Sequence, residues 1–345
     1  MVRLKDIALR AGVSVMTVSK ALRDAPDVSG ATKVRIRELA KQMGYVPDTA
    51  AQGLRTRSTK LLGLIVSSLT NPIFARIVLA IEERAHELGY DLILAHTHNK
   101  TDREGEAIQR LLARRVEGLI ISPVYRLASE DRIYRELQNN GTPTVILGHT
   151  APFCSQFLNV ASDDSAGAYA ITKHLLSEGH KRIGFLAGPP VTPWTRERFE
   201  GYRRALREAN LDVDDKLVFQ AGRAIEDGAK AALQMINEGE VPTAVQCVND
   251  MTAVGAVETF LQQGYRVPED VSVTGFGNVL LSQHFRVPLT TVRQPKFHLG
   301  QAAMDLLMQM LRGERPEPKR IPAELVVRDS TGPAPVGRKN AAKEA

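Results

Sequence analysis

The first 46 residues place apolar side chains with the period of short amphipathic helices. One stripe at i, i+3, i+4 and i+7 consists of Leu4, Ile7, Ala8 and Ala11. Gly12 is expected to end this helix, and Ser14 is placed to cap the start of a second one. The buried side of the second helix would be Val18, Ala21 and Leu22, and a third helix is predicted over about residues 29–43. Two short helices joined by a tight turn predict a helix-turn-helix, so residues 1–46 are assigned as an all-α DNA-binding head.

Two segments near the start of the chain are candidates for contact with DNA. The exposed side of the second helix can enter a major groove, and its candidate residues are Ser14, Val15, Met16, Thr17, Ser19 and Lys20. Residues 47–60 are polar, small and basic, which is typical either of a plain linker or of a helix that folds only when docked. In the second case small alanine faces fit a narrow groove, and an exposed leucine can wedge between base steps. The candidates in this hinge are Ala51, Leu54 and Arg55.

From residue 61 onward, strand and helix patterns alternate along the chain. Residues 61–67 form a nearly all-apolar run, as expected for a strand buried on both faces. Further strands are predicted near residues 90–97, 118–122, 143–147, 182–186, 244–248 and 271–275, with helices between them. This alternation predicts parallel sheets covered by helices, and its extent exceeds one core. Residues 61–330 are therefore predicted to form two doubly wound α/β lobes, followed by a disordered tail at 331–345.

Polar and aromatic residues gather where the predicted strands end. In sheets of this kind, ligands bind at the carboxyl ends of the strands. An aromatic platform with amide and guanidinium donors suits a hydroxylated ligand such as a sugar. The candidate effector-binding residues are Asn71, Phe74, Trp194, Arg198, Arg223, Asn249, Asn278 and Gln294. The alternative interpretation is that these loop residues only bond to one another.

The positive charge of the chain is concentrated at its start. The formal net charge is +6, and the first 60 residues contain 12 basic and 5 acidic side chains, against 33 and 34 in the rest. This asymmetry favours a polyanion-binding head on a nearly neutral body. No apolar run is long enough for a membrane span and the start has no signal core, so we expect a cytoplasmic, nucleoid-associated protein.

Several motifs resemble the LacI/GalR family of bacterial repressors. In the head they are residues 4–8 (LKDIA), 12–22 (GVSVMTVSKAL), 44–47 (GYVP) and 54–56 (LRT). In the body they are residues 71–74 (NPIF), 198–202 (RFEGY), 249–255 (NDMTAVG) and 267–273 (VPEDVSV). The resemblance runs to about residue 330 and implies a body with the fold of periplasmic sugar-binding proteins. It also implies three sets of contacts: bases with Val15, Met16 and Lys20; a minor groove with Ala51 and Leu54; and the effector with Phe74, Arg198 and Asn249.

Three positions depart from the residues usual in that family. Lys20 occupies a position where that family usually has arginine. Lysine offers a single charged group in place of the two parallel hydrogen bonds with which arginine recognises guanine. Asp48 occupies a position where asparagine is usual, and it would place a negative charge near the DNA phosphates. Gly277 replaces the first aspartate of the Gly-Phe-Asp-Asp motif that is usual in the family, and that aspartate normally binds sugar hydroxyls. We expect this loss to leave Arg198 without an acidic partner, and, together with Arg223, to favour an acidic or phosphorylated sugar over a neutral sugar or a nucleobase.

These features predict a sequence-specific transcriptional repressor whose operator affinity is set by a small sugar-like effector. Palindromic operators need two heads, so a homodimer joined through the body is expected. The helix over residues 72–88 shows more apolar surface than one sheet face needs, in Ile73, Ile77, Val78 and Ile81, so we expect part of this surface at the interface. The sequence does not determine whether effector binding weakens or strengthens operator binding.

Two other classes of protein are disfavoured. A free-standing sugar receptor would need a secretion signal and would have no basic head. An enzyme on such a sheet would need a glycine-rich phosphate loop after the first strand, where this chain has residues 67–72 (SSLTNP). No catalytic residue, cofactor or metal site is predicted, since His96 and His98 share a strand face but lack a third ligand.

Overall fold

The computed structural model describes residues 2–46 and 58–335, and the chain divides into two compact units at residues 59 and 60. The first unit contains helices α1 (Leu4–Ala11), α2 (Val15–Leu22) and α3 (Gly30–Gln42). Gly12 ends α1 in the left-handed conformation, and Ser14 Oγ caps α2 by accepting from the amide of Thr17 over 3.0 Å. Ile7, Val18 and Ile36, one from each helix, are fully buried together. The predicted helix-turn-helix head is confirmed.

The N-terminal lobe of the second unit is built on a six-stranded parallel sheet in the order β11–β5–β4–β3–β1–β2. Its strands are β1 (Leu61–Val66), β2 (Asp91–His96), β3 (Gly118–Ile121), β4 (Thr144–Leu147), β5 (Leu158–Ser162) and β11 (Lys319–Ile321). One face is covered by α4 (Ile73–Glu87) and α12 (Lys296–Leu311), the other by α5 (Thr101–Ala113) and α6 (Arg132–Asn139). Because helices bury both faces, β1 is apolar along nearly its whole length.

The C-terminal lobe carries a four-stranded parallel sheet in the order β7–β6–β8–β9. Its strands are β6 (Ile183–Ala187), β7 (Val218–Gln220), β8 (Ala244–Cys247) and β9 (Ser272–Thr274). Helices α7 (Asp164–Ser177) and α8 (Pro193–Glu208) cover one face, and α9 (Ile225–Asn237) and α10 (Asp250–Gln262) cover the other. The short α11 (Leu280–His284) precedes an antiparallel ribbon of β10 (Thr291–Arg293) and β12 (Glu324–Val326). Among the helices in the described ranges, none is long and apolar enough to cross a bilayer.

The two doubly wound lobes are confirmed, but several elements had not been predicted. They are β5, β7, β10, β11, β12, α6, α11 and α12. The missed strands have three to five residues each, too few to establish a period, and β11 is largely exposed. Helix α12 packs against both α4 and the sheet and is buried on several sides, so its sequence carries no single apolar stripe.

Helix α4 uses most of its apolar side chains within its own lobe. Ile77 and Ile81 are buried against the sheet and α12, and Ile73 and Val78 pack partly against the same core. Ile77 and Ile81 therefore belong to the core of the lobe and not to the part of this surface expected at an interface. Leu79 of this helix is 45% exposed instead.

The chain passes between the lobes at three points, near residues 162–164, 293–296 and 321–324. Gln294 Nε2 donates to Ser162 Oγ over 2.8 Å, and the amide of Asp163 donates to the carbonyl of Ile321 over 2.9 Å. These bonds place the three crossing segments side by side. Adjacent crossings of this kind form the hinge about which two lobes can open and close.

The body continues past the boundary expected at residue 330. The amide of Ala334 donates to the carbonyl of Glu178 over 2.8 Å, and the carbonyl of Gly332 lies 3.0 Å from Nε2 of the buried His180. Residues 331–335 therefore pack on the C-terminal lobe. Backbone hydrogen bonds hold them there, and such bonds leave no mark in composition, which is why the segment had been assigned to the tail.

Candidate functional site

A cavity of about 500 Å³ lies between the two lobes, where the carboxyl ends of β1, β3, β4, β6 and β8 face one another. This is the position at which doubly wound sheets bind ligands, and the volume suits a small molecule. Seven of the eight effector-binding residues predicted from the sequence line it: Asn71, Phe74, Trp194, Arg198, Arg223, Asn249 and Gln294. We call this space the effector cavity.

The central feature of the cavity wall is an ion pair between Arg198 of α8 and Asp164 at the start of α7. Arg198 donates from Nη2 and Nε to Asp164 Oδ2 over 3.0 and 3.3 Å, and from Nη1 to the carbonyl of Val248 over 2.5 Å. Burial by itself raises the pKa of Asp164, but the charge of Arg198 and hydrogen bonds from His149 and Ser162 outweigh it and lower the pKa to about 2. Both side chains of the pair are therefore charged, and the pair has no net charge.

Three further polar side chains surround the Asp164 carboxylate. Ser162 Oγ donates to Oδ1 over 2.5 Å, Gln294 Nε2 lies 3.3 Å from Oδ1, and His149 Nε2 lies 3.4 Å from Oδ2. Gln294 Oε1 is buried and has no hydrogen-bond partner among the residues that the structure describes. A ligand hydroxyl in the effector cavity would supply the donor that this oxygen needs.

The Arg198 guanidinium is also stacked on aromatic rings. Its central carbon lies 3.8 Å from the ring centroid of Phe276 and 5.0 Å from that of Trp194. Such contacts hold a cation by the negative face of the ring and fix its plane. Phe74 of α4 adds an aromatic side chain from the N-terminal lobe. The cavity thus combines apolar faces with a few directed polar groups, as small-molecule sites do.

The expectation that Arg198 lacks an acidic partner is wrong. It was drawn from Gly277, on the assumption that the missing aspartate of that motif was the partner of this arginine. In the structure the partner is Asp164, which lies 34 positions earlier in the chain. An unpaired Arg198 therefore no longer favours an acidic or phosphorylated effector.

Gly277 lies beside a second buried carboxylate, that of Asp250. Asp250 Oδ1 accepts from Thr291 Oγ1 over 2.5 Å, and Oδ2 accepts from the amide of Val279 over 2.8 Å. Burial raises the pKa of Asp250 although both of these hydrogen bonds oppose the rise. Gly277 has a φ of +135°, and a Cβ there would stand 3.3 Å from Asp250 Oδ2. The loop conformation requires glycine at this position.

The remaining predicted residues have partners within the protein. Asn249 Oδ1 caps α10 by accepting from the amide of Thr252 over 2.9 Å, so this side chain is fixed at the cavity edge. Arg223 Nη1 donates across the cleft to Asn99 Oδ1 over 3.0 Å. Asn278 is not among the lining residues, because its Oδ1 accepts from Arg328 Nη2 over 2.7 Å outside the cavity.

Several functional residues had not been recognised in the sequence, above all Asp164, Asp250 and His149. Asp164 follows β5, and because β5 itself was not predicted, its position at a strand end went unnoticed. Asp250 had been noted among the polar residues after the strand near 244–248 and within a family motif, but it was not chosen as a cavity candidate. A consistent rule that acidic residues after each strand are cavity candidates would have found both.

In the head, the candidate base-reading side chains lie on the exposed side of α2. Val15 and Met16 are exposed in its first turn. Ser14 Oγ and Thr17 Oγ1 lie 2.8 Å apart and satisfy each other at the cap. The candidates in the hinge, Ala51, Leu54 and Arg55, lie outside the described residues.

The last turn of α2 carries two further candidates that already have partners. Ser19 Oγ lies 3.3 Å from Arg23 Nη2. Lys20 Nζ donates to Asp27 Oδ2 in the loop that leads to α3. The ammonium group that was expected to read bases is therefore held by a carboxylate.

Comparisons with known proteins identify the class to which this fold and site belong. Residues 3–48 match the family described as bacterial regulatory proteins, lacI family, and residues 59–329 match periplasmic binding proteins and sugar binding domain of LacI family. The chain is 33% identical to the transcriptional repressor PurR of Photobacterium profundum, over 96% of this chain and 98% of that protein. It is also 33% identical to the repressor CytR of Escherichia coli, over 96% and 97%.

Solved structures agree with these sequence relatives. The lac repressor dimer bound to operator and an anti-inducer has a TM-score of 0.86 at 30% identity, over 96% of this chain and 99% of that one. A complex of the regulator CelR with cellobiose has a TM-score of 0.73 at 29% identity, over 96% and 100%.

The chain belongs to the LacI family of bacterial regulatory proteins. It is a transcriptional repressor with a helix-turn-helix head and a body of the sugar-binding type, in a family that acts by binding and not by catalysis.

Proposed function

We propose that this repressor binds a palindromic operator as a homodimer and that a neutral, sugar-like effector in the cavity sets its affinity for DNA. The observation that carries the proposal is the presence, in one chain, of a helix-turn-helix head and a two-lobed body that encloses a ligand-sized cavity. We also propose that it acts in the cytoplasm at the nucleoid, where a repressor meets its operator DNA.

The DNA-binding part of the proposal is tested by binding the purified protein to its own upstream DNA at several salt concentrations. Each phosphate contact releases counterions, so log affinity should fall with log salt by about 0.9 per contact. A chain lacking residues 1–60 should lose operator binding and retain ligand binding. Specific operator binding by that truncated chain would refute the assignment of the head.

The dimer is proposed to form through the edge strand β2 and the outer face of α4. β2 ends the six-stranded sheet, and Leu94 on it and Leu79 on α4 are 41% and 45% exposed. Exposed leucines beside a free strand edge are typical of a surface that another chain covers. The lac repressor relative is itself described as a dimer.

Sedimentation of charged variants tests this interface. Leu79→Lys should yield monomers at micromolar concentration and should weaken operator binding, since a monomer presents one head. Leu127→Lys is the matched control, because Leu127 is 91% exposed in the loop after β3. A monomeric wild type in the presence of DNA, or equal effects of the two variants, would contradict the proposal.

The effector is proposed to be neutral because the central charged groups of the cavity, Arg198 and Asp164, already form a pair without net charge. Arg198 and Asp164 together offer both donors and acceptors, which matches hydroxyl groups, since each hydroxyl donates and accepts. An anion would have to displace Asp164 from Arg198 and would face the carboxylate of Asp250. Relatives have been described in complex with cellobiose and with ribose. Arg223 is the residue that still favours an anion.

The only tryptophan of the chain, Trp194, lines the cavity and reports on ligand binding by its fluorescence. Titration with neutral sugars, nucleosides, sugar acids and sugar phosphates should give saturable changes with a neutral hydroxylated compound. Repeating operator binding with that compound present shows whether it acts as inducer or corepressor. Tight binding confined to sugar acids or phosphates would refute the neutral effector and restore the anionic one.

A further inference from the structure

The loop between α2 and α3 carries two aspartates that bind different partners. Asp24 accepts from α3, with Arg37 Nη2 at 2.8 Å and Lys33 Nζ at 3.2 Å. Asp27 accepts instead from Lys20 on α2, the helix whose exposed side is placed to read bases. Both side chains of the Lys20–Asp27 pair are partly exposed, at 39% and 53%. The second aspartate therefore stands on the DNA-reading side of the head.

Asp27 carries its charge at neutral pH. The hydrogen bond from Lys20 lowers the pKa of Asp27, and the charge of Lys20 acts in the same direction. A carboxylate at a DNA-reading surface is repelled by phosphates, so it is compatible with tight binding only if it meets a donor. In the major groove, the exocyclic amino group of cytosine is a donor that aspartate accepts from.

Stability does not account for this pair. An exposed lysine–aspartate contact contributes little to folding, because solvent screens it and both side chains lose rotamer freedom. What the contact does fix is geometry: it places one cationic donor and one anionic acceptor side by side. A guanine–cytosine pair presents the matching edge, with O6 and N7 of guanine as acceptors next to the amino group of cytosine.

We propose that Asp27 is a specificity-determining residue that reads, together with Lys20, a single G·C pair in each operator half-site. Lys20 donates to O6 and N7 of the guanine, and Asp27 accepts from N4 of the paired cytosine while it stays bonded to Lys20. An A·T pair fits less well, because its single amino group lies between two acceptors that repel the carboxylate. The inference rests on the proposed DNA binding by the head.

Selection from a library of randomised operators, using the full-length protein, tests the proposal. The wild type should prefer one G·C pair at a fixed position in each half-site. Asp27→Ala should reduce that preference about 5- to 150-fold, the range expected for one lost base contact. It should also bind unrelated DNA more tightly, with a steeper salt dependence, because the freed Lys20 can contact phosphate.

Two further variants separate base reading from general charge effects. Asp24→Ala removes the same charge from the same loop, but its partners are on α3, so the position-specific preference should persist. Lys20→Ala should lose the preference at the same position as Asp27→Ala, and the double variant should lose no more than either alone. Circular dichroism of each variant checks that the head is folded.

Three outcomes would overturn the inference. In the first, Asp27→Ala leaves every base preference unchanged and binds all DNA more tightly, which would show that Asp27 only lowers the affinity for DNA. In the second, Asp24→Ala loses the preference to the same extent as Asp27→Ala. In the third, Lys20→Ala and Asp27→Ala alter the preference at different positions of the half-site. A wild type that selects no sequence at all would instead refute the proposed function, which keeps the two failures distinguishable.

Discussion

Replacement of Arg198 by methionine should destabilise the C-terminal lobe by about 3–5 kcal/mol, the usual cost of removing one partner from a buried ion pair. The variant leaves the Asp164 carboxylate, only 1% exposed, without its cation. Ser162 and Gln294 still lie within 2.5 and 3.3 Å of that carboxylate, so we expect the lower end of the range. The variant also loses the stack on Phe276.

The double variant Arg198→Met, Asp164→Asn removes both charges and should recover about 2 kcal/mol of the loss, because no unpaired charge remains buried. Urea unfolding followed by circular dichroism, at one protein concentration for all variants, measures each free energy of unfolding. Arg196→Met is a matched control on the exposed side of the same helix and should change stability by less than about 0.5 kcal/mol.

Additive effects of the two single substitutions, within about 0.5 kcal/mol, would show that Arg198 and Asp164 do not interact. The charge balance on which the neutral effector rests would then fail. Arg198→Lys gives an independent check, because lysine keeps the charge but cannot form the two-pronged contact. Its loss of stability should be smaller than that of the methionine variant.

Three other perturbations follow from the structure. Gly277→Asp should lower the melting temperature more than Gly277→Ala, since both are strained at a φ of +135° but only aspartate places a charge beside Asp250. Arg223→Ala removes the contact to Asn99 across the cleft, so the effector should leave faster in stopped-flow fluorescence, while an unchanged rate would show that this contact does not restrain opening. Burial lowers the pKa of Lys296 from 10.5 to about 8, so the folded protein gives up this proton before the unfolded chain does. The free energy of unfolding should therefore rise between about pH 8 and 10.5, and Lys296→Met should flatten that rise.

The features that the sequence predicted well are those set by neighbouring residues. The head was predicted closely because the cap at Ser14, the stop at Gly12 and the apolar stripes all act within one or two helical turns. The long buried strand β1 was equally clear, since its apolar run reflects burial on both faces. Most of the seven lining residues could be found from the sequence because they lie in loops or first helical turns that follow parallel strands, whose ends meet at one edge of each sheet.

The features that could not be predicted from the sequence are contacts between side chains that the fold brings together. Nothing near Arg198 in the chain indicates Asp164, which reaches it only because α7 and α8 pack against each other after the first crossing between lobes. Lys20 and Asp27 are close in sequence, yet their contact depends on the path of the loop to α3. Which side chains form such pairs depends on the tertiary structure, and the pattern of residues along the chain does not determine it.

The surroundings of Gly277 in the structure give this residue a different significance from the one that the family motif suggested. As a departure from a family motif, it suggested a lost carboxylate and hence an unbalanced arginine. The structure contains two other buried carboxylates near it: Asp164 balances Arg198, and Asp250 is held by Thr291 and the amide of Val279. A third carboxylate at position 277 would stand beside Asp250, and the backbone there favours glycine. Glycine at position 277 therefore adds no further negative charge beside Asp250, which supports the proposal that hydroxyl geometry, and not ligand charge, governs effector selectivity.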